Sequence, residues 1–370
     1  MAPNPDPEDS TPSPSPSSGS AAADSQSLED GIDESSTDPV RDVSAGVSAA
    51  DAGPHLPDPW ARGGGFRLDG PLKPVSNDRA FGWMMAILAF GAAFIFWQLV
   101  SGVVGAVMIG VSGGAEALAN PSDMETLIAT FAREFMIANS AGQWLGFAAF
   151  ALGLARLHAR SITDFLRLRA PSLQTAGLSI LGMVTLLPVA QWLASINQRV
   201  PVPEFMEGLE RQRMLLIEQV VAGEFSLAFT LFVVGVTPSI CEELIFRGYM
   251  QRQMERASGA LVSIIASGVA FGCFHLSLTQ VLPLTVIGLY LAYLTWRTGS
   301  IWPAVLAHFA NNGTIVVVAY TMNSAEQANA SLLEEASVPW YAALVGLLLF
   351  AGVLYLLRNR VDQEVPTRTA

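Results

Sequence analysis

The feature that most restricts this chain is a succession of long apolar stretches. They lie near 81–111, 135–155, 173–196, 224–246, 259–276, 281–297, 302–322 and 338–357. Each approaches the roughly 20 residues, within about 17–25, that a helix needs to cross a bilayer's hydrocarbon core. Lipid offers no hydrogen bonds to a backbone, so such runs satisfy their peptide groups internally, as helices packed side by side. The fold expected is therefore all-α, a polytopic transmembrane helical bundle of about eight spans in a lipid bilayer. Composition agrees: 51% of residues are hydrophobic and only 14% charged, too apolar for a domain dissolved in water.

The net charge of −12 comes almost wholly from one end. Residues 1–58 hold 12 acidic residues and one basic residue, Arg41, which leaves the rest nearly neutral at 20 against 19. No basic surface of the kind nucleic acid needs is present, so no nucleic-acid partner is expected. Residues 1–80 read as a Ser/Pro/Asp-rich disordered tail and linker, since they bury too little apolar surface to offset the entropy of ordering. Residues 81–223 are expected to hold the first membrane helices, 224–322 a membrane core carrying the chemistry, and 323–370 a last span with a short tail. Lys and Arg cluster after alternate spans: Arg156 to Arg169, Arg247 to Arg256, Arg297, and Arg358 with Arg360. The positive-inside rule then sets both termini in the cytoplasm, the setting expected being a bacterial plasma membrane. The loop after the third span breaks the alternation with Arg199, Arg211 and Arg213. Residues 204–221 place Phe205, Leu209, Leu216 and Val220 along one stripe, which reads as an amphipathic helix at the interface or a solvated connecting helix.

Three polar clusters interrupt the apolar core. The first is Glu242, Glu243 and Arg247. The second is Phe271-Gly-Cys-Phe-His275. The third is His308-Phe-Ala-Asn-Asn312. An ionised side chain at mid-membrane costs about 2.5–3.5 kcal/mol on insertion scales, so each must be satisfied internally or used. Glu243 and Arg247, four apart, share a helix face, and Glu242 lies about 100° round from them. Glu243 is thus the natural partner of the guanidinium, and Glu242 is left free. Phe271 with His275, and His308 with Asn312, share faces in the same way. Each cluster alone reads as structural; three on three helices point to a site. Two imidazoles and a carboxylate suit one bound metal ion, held by His275, His308 and Glu242 as in a zinc site with an open position. They equally suit a carboxylate that takes the proton of a water oriented by the histidines and the amide. Cys241 and Cys273 read as small buried fillers. Asn139, Gln143 and Gln191 read as interhelical hydrogen bonds, and Pro188 and Pro238 as kinks.

These residues resemble the CAAX-processing and bacteriocin-processing (Abi) family of intramembrane proteases. That family's motifs, Glu-Glu-x-x-x-Arg, Phe-x-x-x-His and His-x-x-x-Asn, stand here in order as Glu242-Glu243-Leu-Ile-Phe-Arg247, Phe271-Gly-Cys-Phe-His275 and His308-Phe-Ala-Asn-Asn312. The resemblance covers roughly residues 224–322. It implies that Glu242 is the general base, that His275, His308 and Asn312 position the water, a divalent metal or the oxyanion, and that Glu243, Arg247 and Phe271 support them. It implies as substrate a membrane-associated or lipidated protein or peptide, cut within a polar cavity that opens toward the cytoplasm. A zinc ion and a metal-free glutamate mechanism both remain open at this point. So do a non-catalytic immunity or scaffold protein of the same fold and a proton-coupled transporter, although no internal repeat of the transporter kind is present.

The expected boundaries carry one conflict. At 1.5 Å per residue, His275 lies about 24 Å from the start of its span and His308 about 9 Å from the same side. Upright helices would keep them apart.

Overall fold

The computed structural model describes residues 68–72, 79–119, 124–221, 225–321 and 338–364. Among them there is no strand. The elements are α1 (Arg79–Val111), α2 (Ala115–Ala119), α3 (Met124–Thr130), α4 (Ala132–His158), α5 (Ile162–Phe165), α6 (Leu173–Asn197), α7 (Glu204–Val221), α8 (Leu227–Phe274), α9 (Val281–Thr298), α10 (Trp302–Thr321) and α11 (Trp340–Glu364). Most of the tail and linker expected over 1–80 lies outside the described residues.

The bundle is apolar on its outside. Ile87, Leu88, Ile95, Leu99, Val103 and Val107 of α1 are all exposed, whereas Ala86, Ala89 and Ala93 of the same helix are buried. A water-soluble helix would turn the large residues inward. Here small residues face neighbouring helices and large ones face out, the arrangement of a helix packed in lipid. An outer surface of this kind would aggregate in water and is solvated by a bilayer. The protein is a multi-pass membrane protein.

Seven helices among the described residues are long and apolar enough to span. The expected fourth and fifth spans are both inside α8, which runs for 48 residues. Drawn straight, that is about 72 Å against a hydrocarbon core of about 30 Å. The helix breaks at Gly259, whose φ of 81° and ψ of 176° lie in a region that is essentially glycine-only. The expected loop directly after residue 246 is therefore corrected. Nothing between Arg247 and Ser258 breaks a helix, and Arg247 is buried and paired rather than in a basic loop.

The α8–α9 hairpin packs tightly, α6 lies against α9, α10 and α11, and α1 lies on α4 and α8. Caps fix where the spans begin: the Ser172 and Ser226 side chains accept from the backbone N–H of Thr175 and Phe229, satisfying donors that a first helical turn leaves open. α6 passes through Pro188 as one helix. Between α8 and α9 the backbones nearly touch. A Cβ at Gly288 would lie 2.7 Å from the carbonyl oxygen of Gly268, so any larger residue would force the hairpin apart. That closeness sets the Gly288 carbonyl beside the carboxylate cluster.

The helix expected over 204–221 is α7. It turns Phe205 and Leu209 outward.

Candidate active site

The site begins with a missing hydrogen-bond donor. Pro238 has no N–H for the carbonyl of Val234, four residues before it. The flanking turns are π-helical, over Leu231–Val236 and Leu244–Met250, with an α-helical segment, Thr237–Glu243, between them. Such bulges disturb the backbone ladder and recur at functional sites. The Asn312 side-chain amide donates to the orphaned Val234 carbonyl at 2.9 Å, and the Ser239 hydroxyl donates to the Gly235 carbonyl at 2.6 Å. The proline thus opens an acceptor on α8, and α10 is pinned to it directly before the two glutamates.

Glu243 is the hub of the cluster. Its Oε1 accepts from the Arg247 guanidinium at 3.1 Å and faces Nδ1 of His308 at 3.0 Å. Arg247 also donates to the Gly288 carbonyl at 3.0 Å. Its guanidinium carbon lies 4.5 Å from the centre of the Phe271 ring, a cation–π contact strengthened by the absence of water. Glu243 and Arg247 are wholly buried.

Both imidazoles have their tautomer set by their neighbours. A carbonyl only accepts, so His275, whose Nδ1 is 2.9 Å from the Phe271 carbonyl, donates from Nδ1 and carries its lone pair on Nε2. His308 faces an arginine-paired carboxylate with Nδ1, so it too carries its lone pair on Nε2. The second amide hydrogen of Asn312 points there at 3.4 Å. Asn312 Oδ1 accepts from Asn311 at 2.9 Å.

Phe271 lies between the histidines. Its ring centre is 5.0 Å from that of His275 and 5.5 Å from that of His308. The conflict over the level of the two histidines disappears, because rings this close around one phenyl cannot belong to upright, level helices. The second half of α8 is set off along its axis or tilted relative to α10.

Glu242 differs from Glu243. It is 5% exposed, and although Oε2 of both carboxylates lacks a hydrogen-bond partner, Glu242 also lacks the guanidinium and imidazole that bind Oε1 of Glu243. A buried polar group left unpaired costs about 1–3 kcal/mol, and more if charged. It stands within electrostatic reach of His308, Glu243 and Arg247.

Among the described residues, no group of three His, Cys, Asp or Glu side chains is gathered closely enough to hold a metal ion. His308 Nδ1 is committed to Glu243 and His275 Nδ1 to a carbonyl, the kind of bond that orients an imidazole toward a water or a metal at its other nitrogen. Two cavities of about 580 and 640 Å³ lie at the Arg360 end of the bundle, and no residue of the three clusters lines either.

Some participants carried no signal in the motifs. Gly288 and Val234 contribute only carbonyls. Asn197 and Glu210 reach the turn after His275; as polar residues near spans they were visible, but their target was not. Asn139 accepts from Trp97 across helices at 3.1 Å, while Gln143 Oε1 is buried without a partner. Cys241 is buried, but Cys273 is exposed on the outer surface.

Residues 224–314 match the family described as type II CAAX prenyl endopeptidase, Rce1-like. The chain is also similar to YdiL of Bacillus subtilis (strain 168), a candidate membrane peptidase by its name, at 26% identity over 151 residues. That match covers 41% of this chain and 61% of the relative. No solved structure matches. The matched segment contains Pro238, the Glu243 hub, Glu242 and both histidines, so the similarity to Rce1-like membrane proteases falls on the residues that form this site.

Proposed function

We propose that the protein is an intramembrane endopeptidase in which Glu242 activates the attacking water. The single observation that carries the reading is the contrast between adjacent carboxylates. Glu243 is held through Oε1 by Arg247 and His308, whereas Glu242, buried beside that network, is held by neither. A buried base held free next to fixed acceptors is what general-base hydrolysis needs. Glu242 takes a proton from water, and the oxygen attacks the carbonyl carbon of the scissile peptide bond. As the C–N bond breaks, Glu242 returns the proton to the leaving amine. The Nε2 lone pair of His275 accepts a hydrogen bond from the water and so aims it, while His308, bonded to Glu243 and Asn312 through its two ring nitrogens, shapes the site beside it. Asn312 holds His308 in register from the other side. Glu243, Arg247 and Phe271 keep the rings in place.

The similarity to CAAX prenyl endopeptidases suggests a membrane-associated substrate, and a lipidated peptide would share the bilayer with the apolar helices that carry the site. The basic loops suggest that both termini lie in the cytoplasm. The test is proteolysis of a prenylated peptide by the purified full chain, comparing wild type with Glu242→Ala, His275→Ala and His308→Ala. Loss of cleavage in all three supports the reading, and cleavage that survives all three overturns it. A wild type without activity whose Glu242→Gln variant keeps its cellular effect points to a non-catalytic scaffold. The metal question has its own measurement: a metal count on the purified protein, with cleavage before and after chelation. Retained activity at less than about 0.1 metal per chain supports the water-only route, and chelation-sensitive activity overturns it.

A further inference from the structure

His275 closes α8, and the turn that follows does not hold its own shape. Leu276 has a φ of 49°, a left-handed conformation that costs a non-glycine residue on the order of 1–3 kcal/mol and persists where surroundings enforce it. Two side chains from elsewhere do so. The buried Asn197, last residue of α6, donates to the Leu278 carbonyl at 2.5 Å and accepts from the Leu282 N–H at 2.8 Å. It therefore grips the turn and the start of α9 with both ends of one amide. From α7, Glu210 Oε1 accepts from the Ser277 hydroxyl at 2.8 Å and from Thr279 at 3.3 Å. Its other oxygen is occupied by Arg213, at 2.9 Å.

We propose that Asn197 and Glu210 are positioning residues that hold His275 in its reactive orientation through the strained turn at Leu276. The role assigned to His275 rests on the reading above; the clamp itself does not. The turn fixes the chain on one side of the imidazole, and the Nδ1–H bond to the Phe271 carbonyl fixes the ring. If the turn relaxes, Leu276 leaves the left-handed region, the end of α8 unwinds, and the carbonyl of Phe271 no longer faces Nδ1. Glu210 gives α7 a reason to carry charge on its inner side, and ties whatever moves that helix to the geometry of His275.

The chain holds four histidines, which makes the clamp directly observable. Full-length protein labelled with 15N-histidine in nanodiscs gives separate ring signals, with His275 assigned by its loss in His275→Asn. In Asn197→Leu and in Glu210→Ala, the His275 Nδ1–H should lose its tautomer preference and exchange with solvent at least about tenfold faster, while His308 keeps its signal. Glu210→Gln, which retains the acceptor for Ser277, should restore the wild-type His275 signal. In the proteolysis assay kcat should fall about tenfold to a hundredfold with KM within about twofold, as expected for a misplaced group that touches the reacting water. A His275 signal unchanged in both Asn197→Leu and Glu210→Ala overturns the proposal, as does equal loss of the His275 and His308 signals. Should Asn197→Leu not fold, Glu210→Ala on the peripheral helix decides alone. A wild type without proteolysis sinks the enzymatic reading and leaves the spectroscopic comparison to decide the clamp.

Discussion

Nδ1 of His308 lies 3.0 Å from Oε1 of Glu243, the same oxygen that accepts the Arg247 guanidinium at 3.1 Å. One oxygen therefore fixes a base and a permanent cation from two different helices. Protonating Glu243 would remove the negative charge that holds both. This separates the roles of two carboxylates that stand side by side in sequence.

Glu243→Leu should be among the most destabilising single changes in the bundle. It strands a wholly buried guanidinium, at about 3–5 kcal/mol. Glu243→Leu combined with Arg247→Leu should recover most of that loss, because apolar pairs often replace buried ion pairs without penalty. Reversible unfolding in detergent measures both. A double variant no more stable than the single one refutes the hub.

Glu242→Gln should behave oppositely. It keeps the side chain's size and removes a carboxylate whose Oε2 has no partner. Stability should stay within about 1 kcal/mol of wild type or rise above it. Cleavage should fall by about 10²–10⁴, the usual contribution of a general base. An unfolding loss as large as that of Glu243→Leu would contradict the division of labour.

Much of this was legible in the sequence because membranes make polar residues conspicuous. Glu242, Glu243, Arg247, His275 and His308 stand out against apolar runs, and helical spacing alone pairs Glu243 with Arg247. The continuity of α8 was not legible. Arg247, Arg252 and Arg256 look like a loop because charge normally marks a span's end, yet buried pairing lets the helix continue to Gly259. The bond between Glu243 and His308 was also out of reach, since it joins residues 65 positions apart and depends on an offset between helices that periodicity does not encode. Carbonyl partners such as Val234 leave no trace in side-chain identity.

The contact between α7 and the turn after His275 should depend on pH. Burial pushes the Glu210 carboxyl up, but the Ser277 hydroxyl and the Arg213 guanidinium outweigh it, and the net result lies below the ordinary carboxylate value. A pKa lowered by folding means stability that is complete above the ordinary glutamate value, about 4.3, and lost as pH falls through the lowered one. Acidification below about pH 4 should therefore release α7. Hydrogen exchange of backbone amides in 204–217 should rise there in wild type. In Glu210→Gln the same amides should show no such pH step; an identical step in both would remove Glu210 as its cause.

The bond from Asn312 to Val234 allows a sharper test, because its cause is a proline. Pro238 leaves the Val234 carbonyl without its helical donor, and Asn312 supplies one at 2.9 Å. In wild type, Asn312→Ala should cost about 1–3 kcal/mol, since it strands a half-buried acceptor and frees one side of His308. Pro238→Ala returns an N–H to the helix, which can now reach the carbonyl itself. In that background Asn312→Ala should cost markedly less, and the two substitutions should couple by about 0.5–3 kcal/mol in a double-mutant cycle. Activity should not follow stability in the same cycle. Asn312 also faces Nε2 of His308 at 3.4 Å, a contact that Pro238→Ala does not replace, so Asn312→Ala should slow cleavage to the same degree in both backgrounds. Purely additive stabilities would show that the proline is not what Asn312 answers. A rescue of activity by Pro238→Ala would show that the asparagine serves the backbone alone.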